Sequence, residues 1–188
     1  ANHVVKYCRV ENTSEELQVA YDYLVLACGS DYIAPYIKPS ESDRSLDDRM
    51  QSFKHFKDSL LLEDMKHALV VGGGSVGVEL AGELVDFRKQ NNKTYKITLV
   101  HSRDILLERC GEKMHNYCNN WLSNQSVELI LGDRVNAGNS YDYSQDLDLN
   151  VSKSFVTQKG TNIDNVSMVF WCHSCKPATA WIKNSVDM

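Results

Sequence analysis

A glycine-rich turn lies between an apolar segment and a segment with helical spacing, and it is the part of this sequence best suited to bind a ligand. In its G-x-G-x-x-G spacing, Gly72 can make a tight turn, Gly74 lets the backbone approach a diphosphate, and Gly77 lets helix and strand pack closely. Because the first N–H groups of a helix have no internal partner, they can bind an anion without a lysine. The spacing predicts a dinucleotide-binding turn formed by Gly72, Gly73, Gly74, Ser75, Val76 and Gly77.

The elements on either side of this turn support that prediction. Residues 68–71 form an apolar run before the turn, and a second apolar run follows at residues 96–101. A strand, a glycine turn, a helix and a second strand in that order are typical of a βαβ unit, whereas the glycine spacing alone is a weak signal. The predicted fold class is therefore α/β, a Rossmann-like domain with a parallel sheet, helices and a β-meander. The helix should pack on the sheet through Val76, Leu80, Leu84 and Phe87.

Similar patterns predict the elements elsewhere in the chain. An alternating segment at residues 3–10, a polar turn at 11–16 and residues 17–20 predict a hairpin. The continuous apolar run at residues 21–30 predicts a strand that is buried on both faces. The polar run at residues 136–148 predicts a flexible excursion. The remaining predictions are a helix capped by Ser45, a helix over residues 111–124, strands at 127–131 and 166–172, and a hairpin over 154–163.

Composition and charge narrow the function classes. The chain has 188 residues, 43% of them hydrophobic, which suits one full globular domain and part of another. Its formal charge of −5 and the lack of a basic cluster argue against a nucleic-acid partner. No apolar run approaches the ~20 residues that cross a bilayer, so we expect no transmembrane segment, and no signal peptide at the start. Six dispersed cysteines favour reduced thiols and an intracellular protein, cytoplasmic or organelle-associated.

The end of the second predicted strand bears on the choice of cofactor. An acidic residue there would accept both ribose hydroxyls of NAD and repel a 2′-phosphate, but the sequence is His101, Ser102 and Arg103. Ser102 and Arg103 could instead hydrogen-bond and neutralise a 2′-phosphate, unless Arg103 is a solvated loop charge that faces away. We therefore expect NADPH to be accepted and NADH to bind as well.

Cys172 and Cys175 form a C-x-x-C pair next to His173 and Lys176, and this pair supports an alternative function. A dithiol of this spacing is redox-active when neighbouring positive charge stabilises a thiolate. Structural cysteines at a strand end are the competing interpretation. A thiol-disulfide oxidoreductase would need an accessible Cys172 of low pKa that can form a disulfide with Cys175. One C-x-x-C without a second pair is poor evidence for zinc, so no metal site is predicted.

The order of these motifs resembles the two-dinucleotide-fold flavoproteins of the pyridine nucleotide-disulfide oxidoreductase superfamily, over essentially the whole chain. The glycine turn, its helix as far as Leu84, and residues 98–102 are especially similar to apoptosis-inducing-factor-like, ferroptosis-suppressor-type NAD(P)H:quinone reductases. In that superfamily, Ala27, Cys28 and Gly29 correspond to an Ala-Thr-Gly motif where the chain leaves the FAD domain. The glycine turn here would then be the second such turn, which holds NAD(P)H.

The resemblance implies three parts of the chain. Residues 1–44 would be the C-terminal part of a FAD-binding domain with a linker, residues 45–175 the NAD(P)H-binding domain, and residues 176–188 a return segment toward the FAD domain. A first glycine motif for FAD should lie well before residue 21, and a further FAD motif beyond residue 188. We therefore expect a fragment that binds NAD(P)H but does not complete turnover without its flavin site.

The function that the resemblance implies is hydride transfer from NAD(P)H to FAD, with a small-molecule electron acceptor for which a quinone is the candidate. Glu79 would orient the nicotinamide from a half-buried position, although an exposed glutamate that satisfies the helix dipole is the alternative. Cys172 and His173 would line the cofactor at the end of the last strand. The other two hypotheses are a nucleotide-binding module without catalysis of its own and a thiol-disulfide oxidoreductase that uses Cys172 and Cys175.

Overall fold

The structure is a computed structural model that describes residues 3–9, 11–32, 45–138, 141–173 and 175–179. The chain divides into two compact units, Ala1–Ser30 with Pro177–Met188, and Asp31–Lys176. The predicted division after residue 44 differs from this first boundary, and residues 33–44 lie outside the described residues. In chain order the elements are β1 (Val4–Arg9), β2 (Asn12–Ala20), β3 (Ser30–Tyr32), α1 (Leu46–Ser59), β4 (His67–Val71), α2 (Ser75–Gln90), β5 (Lys96–His101), α3 (Glu112–Asn124), β6 (Val127–Leu131), β7 (Lys153–Val156), β8 (Asn162–Val166), β9 (Met168–Trp171) and β10 (Cys175–Pro177).

The first unit contains the predicted hairpin, in which β1 and β2 pair antiparallel. Its turn is shorter than predicted, because β2 begins at Asn12 within the polar run. Residues 21–29, predicted as a buried strand, form no regular strand, and their side chains are largely exposed, Tyr23 by 94% and Val25 by 85%. An apolar run becomes a buried strand only where neighbouring strands cover it, and the described residues of this unit provide no such cover.

The second unit is built on a four-stranded parallel sheet of order β6-β5-β4-β9. β4 and β5 are apolar and almost wholly buried, as expected of a parallel sheet that is covered on both faces. The register places Val71 beside Val100 and Trp171, so these three strands end at one edge of the sheet. The predicted α/β fold with a parallel sheet is confirmed, and the glycine turn lies at the carboxyl end of β4.

One face of the sheet is covered by α2 and α3. α2 packs on the sheet through Gly77, Ala81, Leu84 and Val85, which recur at helical spacing and are buried. The predicted stripe is wrong at its start, since Val76 is 59% exposed. The stripe passes through Gly77 instead because a residue without a Cβ lets the helix approach the preceding turn closely.

The other face is covered by the antiparallel hairpin of β7 and β8 and by the segment before it. The sequence predicts that this segment, residues 136–148, is a flexible excursion, but the described residues are held in place. Asp146 is fully buried and accepts a hydrogen bond from the Tyr141 hydroxyl at 2.5 Å. Tyr141 also packs edge-on against Trp171 of β9, with 5.7 Å between ring centroids. Aromatic packing therefore attaches Tyr141 and its neighbours to the sheet, in a segment whose polar composition predicts a flexible excursion.

Candidate functional site

A cleft of about 480 Å³ opens at the carboxyl ends of β4, β5 and β9. The glycine turn borders one side of it, and the loop that follows β6 borders another. In doubly wound α/β folds, ligands bind at this edge of the sheet. The described residues that line the cleft are Val71, Gly72, Gly74, Val100, His101, Ser102, Asp133, Arg134, Val135, Asn136, Gln158, Cys172 and His173.

The three motif glycines have different surroundings. Gly72 has a φ of +118°, and a Cβ there would lie 2.8 Å from the carbonyl oxygen of Cys172. A Cβ on Gly77 would lie 1.7 Å from the carbonyl oxygen of Gly72, a distance that no side chain tolerates. A Cβ on Gly74 would meet nothing within 4 Å and would stand in open space at the cleft. Gly72 and Gly77 are thus needed for the fold, whereas Gly74 keeps the approach to the backbone open.

The N-terminus of α2 adjoins this open approach. α2 begins directly after Gly74, no side chain within the described ranges caps it, and its first turn contains no acidic residue. The N–H groups at the start of a helix have no partner within the helix, and they carry the positive end of its dipole. Ser75 and Val76 are exposed there, although their side chains are not among the lining residues of the cleft. The backbone of this first turn can therefore bind an anion beside the cleft.

Gly73 differs from its predicted role in cofactor binding, because both of its backbone groups already have partners. Its N–H donates to Nδ1 of His101 at 2.9 Å, and its carbonyl oxygen accepts from the N–H of Leu107 at 2.9 Å. Gly73 is buried, and a Cβ there would lie 2.6 Å from the side chain of Leu106. Gly73 therefore ties the turn to β5 and the loop after it, and its hydrogen bonds are not available to a ligand.

The bond from Gly73 also determines where His101 carries its proton. Because Nδ1 accepts, the proton of the neutral imidazole lies on Nε2, which remains a donor. Burial lowers the pKa of His101, and the charges of Arg103 and Arg134 lower it further against the opposing effect of Glu108. His101 is therefore neutral near physiological pH, and it lines the cleft at the strand end where a dinucleotide places its ribose.

Ser102 and Arg103, the other two residues predicted to bind the cofactor at the end of β5, differ in their position relative to the cleft. Ser102 lines the cleft together with His101. Arg103 is not among the lining residues, and its Nε lies 3.7 Å from Oε2 of Glu108 in a pair whose side chains are both more than half exposed. The expectation that Arg103 faces a bound phosphate therefore lacks support from its position.

Glu79 departs from its predicted half-buried environment. It is exposed, and the buried residues nearest to it on α2 are Gly77 and Ala81. At the start of α2 the buried face passes through Gly77 and Ala81 instead of Val76, and Glu79 lies between these two residues on the solvent side. Glu79 is not among the lining residues of the cleft. Its role in orienting the nicotinamide therefore rests on the sequence resemblance.

Cys172 and His173 line the cleft beside Gly72. Cys172 is a free, partly buried thiol, and burial raises its pKa to about 12. A redox-active cysteine needs a stabilised thiolate, so this environment opposes the thiol-disulfide alternative. His173 is exposed, and its ring lies edge-on against Trp171 with 5.5 Å between ring centroids. The side chain of Cys175 lies outside the described part of the structure.

Sequence reasoning missed the lining residues that come from the loop after β6 and from the turn between β7 and β8. The available signal was the position of the first loop directly after a parallel strand, because the carboxyl ends of parallel strands meet at one edge of the sheet. These missed residues are Asp133, Arg134, Val135, Asn136 and Gln158.

Asp133 is the carboxylate within this lining, and its oxygens are occupied by the protein. Its Oδ1 accepts from the N–H of Arg134 at 2.8 Å and from the N–H of Lys159 at 3.1 Å. Burial by itself would raise the pKa of Asp133, but the Thr157 side chain and these N–H groups outweigh burial and lower the pKa. Asp133 is therefore ionised and shapes the loop.

Ala27, Cys28 and Gly29, the predicted motif on the FAD side, belong to the first unit. All three are exposed, and Gly29 has a φ of +76°. The carbonyl oxygen of Gly29 accepts a hydrogen bond from the N–H of Ala178 at 3.0 Å within the same unit. This bond joins the two chain segments of the unit, and the contact with FAD stays a prediction.

The described residues contain neither a metal-binding cluster nor a membrane-spanning helix. Their His, Cys, Asp and Glu side chains form no group of three that could hold a metal ion. In the same ranges, no helix combines the length and the apolar character needed to cross a membrane.

The cleft fits the diphosphate and ribose of a dinucleotide in three respects. The backbone at Gly74 is open, the start of α2 is uncapped, and the neutral His101 retains a donor at Nε2. The fold and this cleft define a dinucleotide-binding domain of the Rossmann type. Residues 2–187 match the pyridine nucleotide-disulphide oxidoreductase family, and the chain belongs to that family, as the motifs predict.

Individual relatives agree with this assignment. The chain is 36% identical over 122 residues to apoptosis-inducing factor homolog A of Dictyostelium discoideum, which covers 63% of this chain and 29% of that protein. It is 31% identical over 140 residues to the mitochondrial internal alternative NAD(P)H-ubiquinone oxidoreductase A1 of Arabidopsis thaliana, which covers 62% of this chain and 27% of that protein. The chain thus spans less than a third of the length of either relative.

A solved structure supports the fold independently. NDH2 from Plasmodium falciparum in complex with NADH superposes with a TM-score of 0.62 at 21% sequence identity. The superposition covers 95% of this chain and 39% of that chain. At this identity the likeness establishes the fold.

Proposed function

We propose that this chain is the NAD(P)H-binding part of a flavin-dependent oxidoreductase whose electron acceptor is a quinone. The observation that carries the proposal is the cleft, where open backbone at Gly74 adjoins the uncapped start of α2. Main-chain N–H groups in this arrangement bind the diphosphate of a dinucleotide. Two comparisons support the proposal, since one relative is named an NAD(P)H-ubiquinone oxidoreductase and one solved structure is in complex with NADH.

The groups of the cleft divide the work of binding. The N–H groups of the first turn of α2 bind the diphosphate, and Gly72 and Gly77 hold strand and helix close enough for this contact. His101 and Ser102 offer donors to the ribose at the end of β5. When bound, the reduced nicotinamide supplies a hydride that the flavin accepts. The contribution of this chain is to fix the position of the dinucleotide and to supply the local electrostatic field.

Three parts of the proposal come from the resemblance. These are the role of Glu79 at the nicotinamide, the contact of residues 27–29 with FAD, and the quinone as acceptor. An intracellular location also stays a prediction, although the name of the Arabidopsis relative places that protein in mitochondria.

The binding step can be tested with one glycine substitution. Gly74→Ala adds a methyl group in open space, at an extended backbone conformation that any residue adopts, so the fold should tolerate it. The methyl group would obstruct the approach of a diphosphate to the backbone. We expect the wild-type chain to bind NADH and NADPH in isothermal titration calorimetry, and Gly74→Ala to weaken both affinities by about tenfold or more.

Gly82→Ala on the same helix is the matched control. A Cβ there would lie 4.0 Å from Trp121, which is ordinary contact, and the position is not among the lining residues of the cleft. Its nucleotide affinity should equal that of the wild type. The binding proposal fails when the folded wild type binds neither dinucleotide, or when Gly74→Ala binds them as tightly as Gly82→Ala does.

The catalytic step needs the flavin-loaded protein. Anaerobic mixing with NADPH should bleach the absorbance of the oxidised flavin, and addition of a quinone should restore it. A protein that binds NADPH while its flavin stays oxidised would contradict the oxidoreductase proposal and favour the nucleotide-binding module without catalysis.

A further inference from the structure

Arg134 lines the cleft, and hydrogen bonds hold its backbone in place. Its N–H donates to Oδ1 of Asp133 at 2.8 Å, and its carbonyl oxygen accepts from the N–H of Gln158 at 2.9 Å. Its side chain is exposed, and among the described residues its guanidinium has no ion-pair partner. A guanidinium presents five donors in a planar fork that matches a phosphate. The arrangement is therefore suited to an anionic ligand in the cleft.

The charge of Arg134 acts on both histidines of the cleft. Burial is the main cause of the lowered pKa of His101, and the charges of Arg103 and Arg134 lower it further. His173 is exposed as a residue, but its ring lies against Trp171, and partial burial of the ring together with the charge of Arg134 lowers its pKa. Arg134, His101 and His173 all line the same cleft, whereas Arg103 is not among its lining residues. The positive charge of Arg134 therefore belongs to the same space as the end of β5, where the ribose is expected.

The other charged groups nearby do not compete for this role. Asp133 is occupied by protein donors, as described above, so it cannot accept from ribose hydroxyls through Oδ1 without losing these bonds. Arg103 is paired with Glu108 away from the lining of the cleft. His101 stands at the strand end where an acidic residue would select NAD. The cleft thus presents donors at the position where NAD selection requires an acceptor.

We propose that Arg134 is the residue through which this chain recognises the 2′-phosphate of NADPH, with Ser102 and the Nε2–H of His101 as neighbouring donors. The inference rests on the proposed function, because it concerns the adenosine end of the same dinucleotide. The sequence suggests Arg103 as the residue that neutralises the 2′-phosphate. The inference assigns this role to Arg134 instead, in the loop that follows β6.

The test compares 2′,5′-ADP with 5′-AMP, which differ only in the 2′-phosphate. Isothermal titration calorimetry would measure both affinities for the wild type, Arg134→Gln, Arg134→Lys and Arg103→Gln. The wild type should bind 2′,5′-ADP at least about tenfold more tightly than 5′-AMP, and Arg134→Gln should remove most of this preference without weakening 5′-AMP. Arg134→Lys should retain part of it, since lysine keeps the charge and loses the fork. Arg103→Gln should change the ratio by less than about twofold.

Contrary outcomes separate this inference from the proposed function. A preference that survives in Arg134→Gln, or that disappears in Arg103→Gln, overturns the inference, while binding of 5′-AMP leaves the proposed function standing. Equal affinity of the wild type for the two nucleotides overturns it as well. Failure of the folded wild type to bind either nucleotide overturns the inference, and the calorimetric titrations with NADH and NADPH then decide the proposed function, because only these ligands contain the diphosphate. Melting curves by circular dichroism establish that each variant is folded, and the exposed side chain of Arg134 makes a loss of stability unexpected.

Discussion

The two ends of the parallel sheet differ in how their polar groups are satisfied. At the amino end, His67 is buried, with Nδ1 3.0 Å from the carbonyl oxygen of Asp164 and Nε2 2.8 Å from the Thr98 hydroxyl. That hydroxyl donates to Oε2 of Glu128 at 2.8 Å, and Nζ of Lys96 lies 2.9 Å from the same oxygen. This network links three neighbouring strands of the sheet, and each of its side chains has a partner.

At the carboxyl end of the same sheet, some donors have no partner among the residues that the structure describes. α2 starts without a side-chain cap, and Arg134 forms no ion pair with any described residue. Polar groups that are satisfied inside the protein contribute to its stability, whereas unsatisfied donors beside a cleft are available to a ligand. We therefore expect polar substitutions at the amino end to change stability, and polar substitutions at the carboxyl end to change binding.

Gly77→Ala should lower the stability more than any other substitution proposed here. It is an exception to the expectation that changes at the carboxyl end affect binding alone. Although Gly77 lies at the carboxyl end, its role is packing, because a Cβ would lie 1.7 Å from the backbone oxygen of Gly72. The free energy of unfolding should fall by about 3 kcal/mol or more, with loss of NADH binding. Urea denaturation followed by circular dichroism measures the change.

Gly82→Ala is the control for this experiment too, since both glycines lie in α2. Alanine has a higher helix propensity than glycine, so the free energy of unfolding should stay the same or rise by up to about 1 kcal/mol. Similar small effects of the two substitutions would contradict the close contact between helix and turn.

Thr98→Val tests the amino end with a change of chemistry at nearly constant shape. It leaves Nε2 of His67 and Oε2 of Glu128 without the hydroxyl that joins them, and should lower the free energy of unfolding by about 1–3 kcal/mol. NADH affinity should be unchanged. Thr94→Val, at an exposed position, should change stability by less than about 0.5 kcal/mol. A Thr98→Val variant with wild-type stability and weakened NADH binding would reverse the comparison.

The pH dependence of stability should show a smaller effect from His101 at the carboxyl end. Burial lowers the pKa of His101, and its Nδ1 accepts the N–H of Gly73, which requires the neutral ring. In the unfolded chain His101 should titrate near about 6.5, so as the pH falls the unfolded chain takes up a proton that the folded chain does not. The free energy of unfolding should therefore decrease from about pH 7.5 to about pH 6, and the decrease should be smaller in His101→Gln. A steady increase over this interval would contradict the neutral state of the His101 ring.

Protonation of Asp146 raises the free energy of unfolding as the pH falls, which is opposite to the effect of a histidine with a lowered pKa. Burial raises its pKa to about 6, so below that value the folded chain takes up a proton before the unfolded chain does. This uptake partly offsets the destabilisation that arises from His101. Asp146→Asn removes the offset, and its stability should fall more steeply than that of the wild type between about pH 6 and about pH 5. Parallel curves for the two proteins would contradict the raised pKa.

The sequence predicts most of the second unit because its signals are local. Apolar runs and motif glycines predict the parallel strands and the turn, and the structure confirms them. Tertiary contacts decide the remainder. The face of α2 depends on the close approach at Gly77, and the packing of residues 141–146 on the sheet depends on the aromatic contacts of Tyr141. Residues 21–29 depend on cover that the described residues of the first unit lack.

The residues of the candidate site also fall into those that local sequence predicts and those that depend on tertiary structure. Gly72, Gly74, His101 and Ser102 follow their own strands directly, so sequence position alone predicts that they line the cleft. Arg134 reaches the cleft only because β6 ends at the same edge of the sheet, which requires knowledge of the strand order. The occupied backbone of Gly73 and the outward position of Glu79 depend on packing that the motif does not encode.

The most direct test of the central claim is an NMR titration of the isotopically labelled chain with NADH. Backbone amide signals report binding residue by residue, and they separate the two ends of the sheet. We expect the largest shifts at the amides of Gly74, Ser75 and Val76, with those of Lys66 and His67 unchanged. Largest shifts at the separate cavity between α1 and residues 144–150, with no change at Gly74–Val76, would contradict the account.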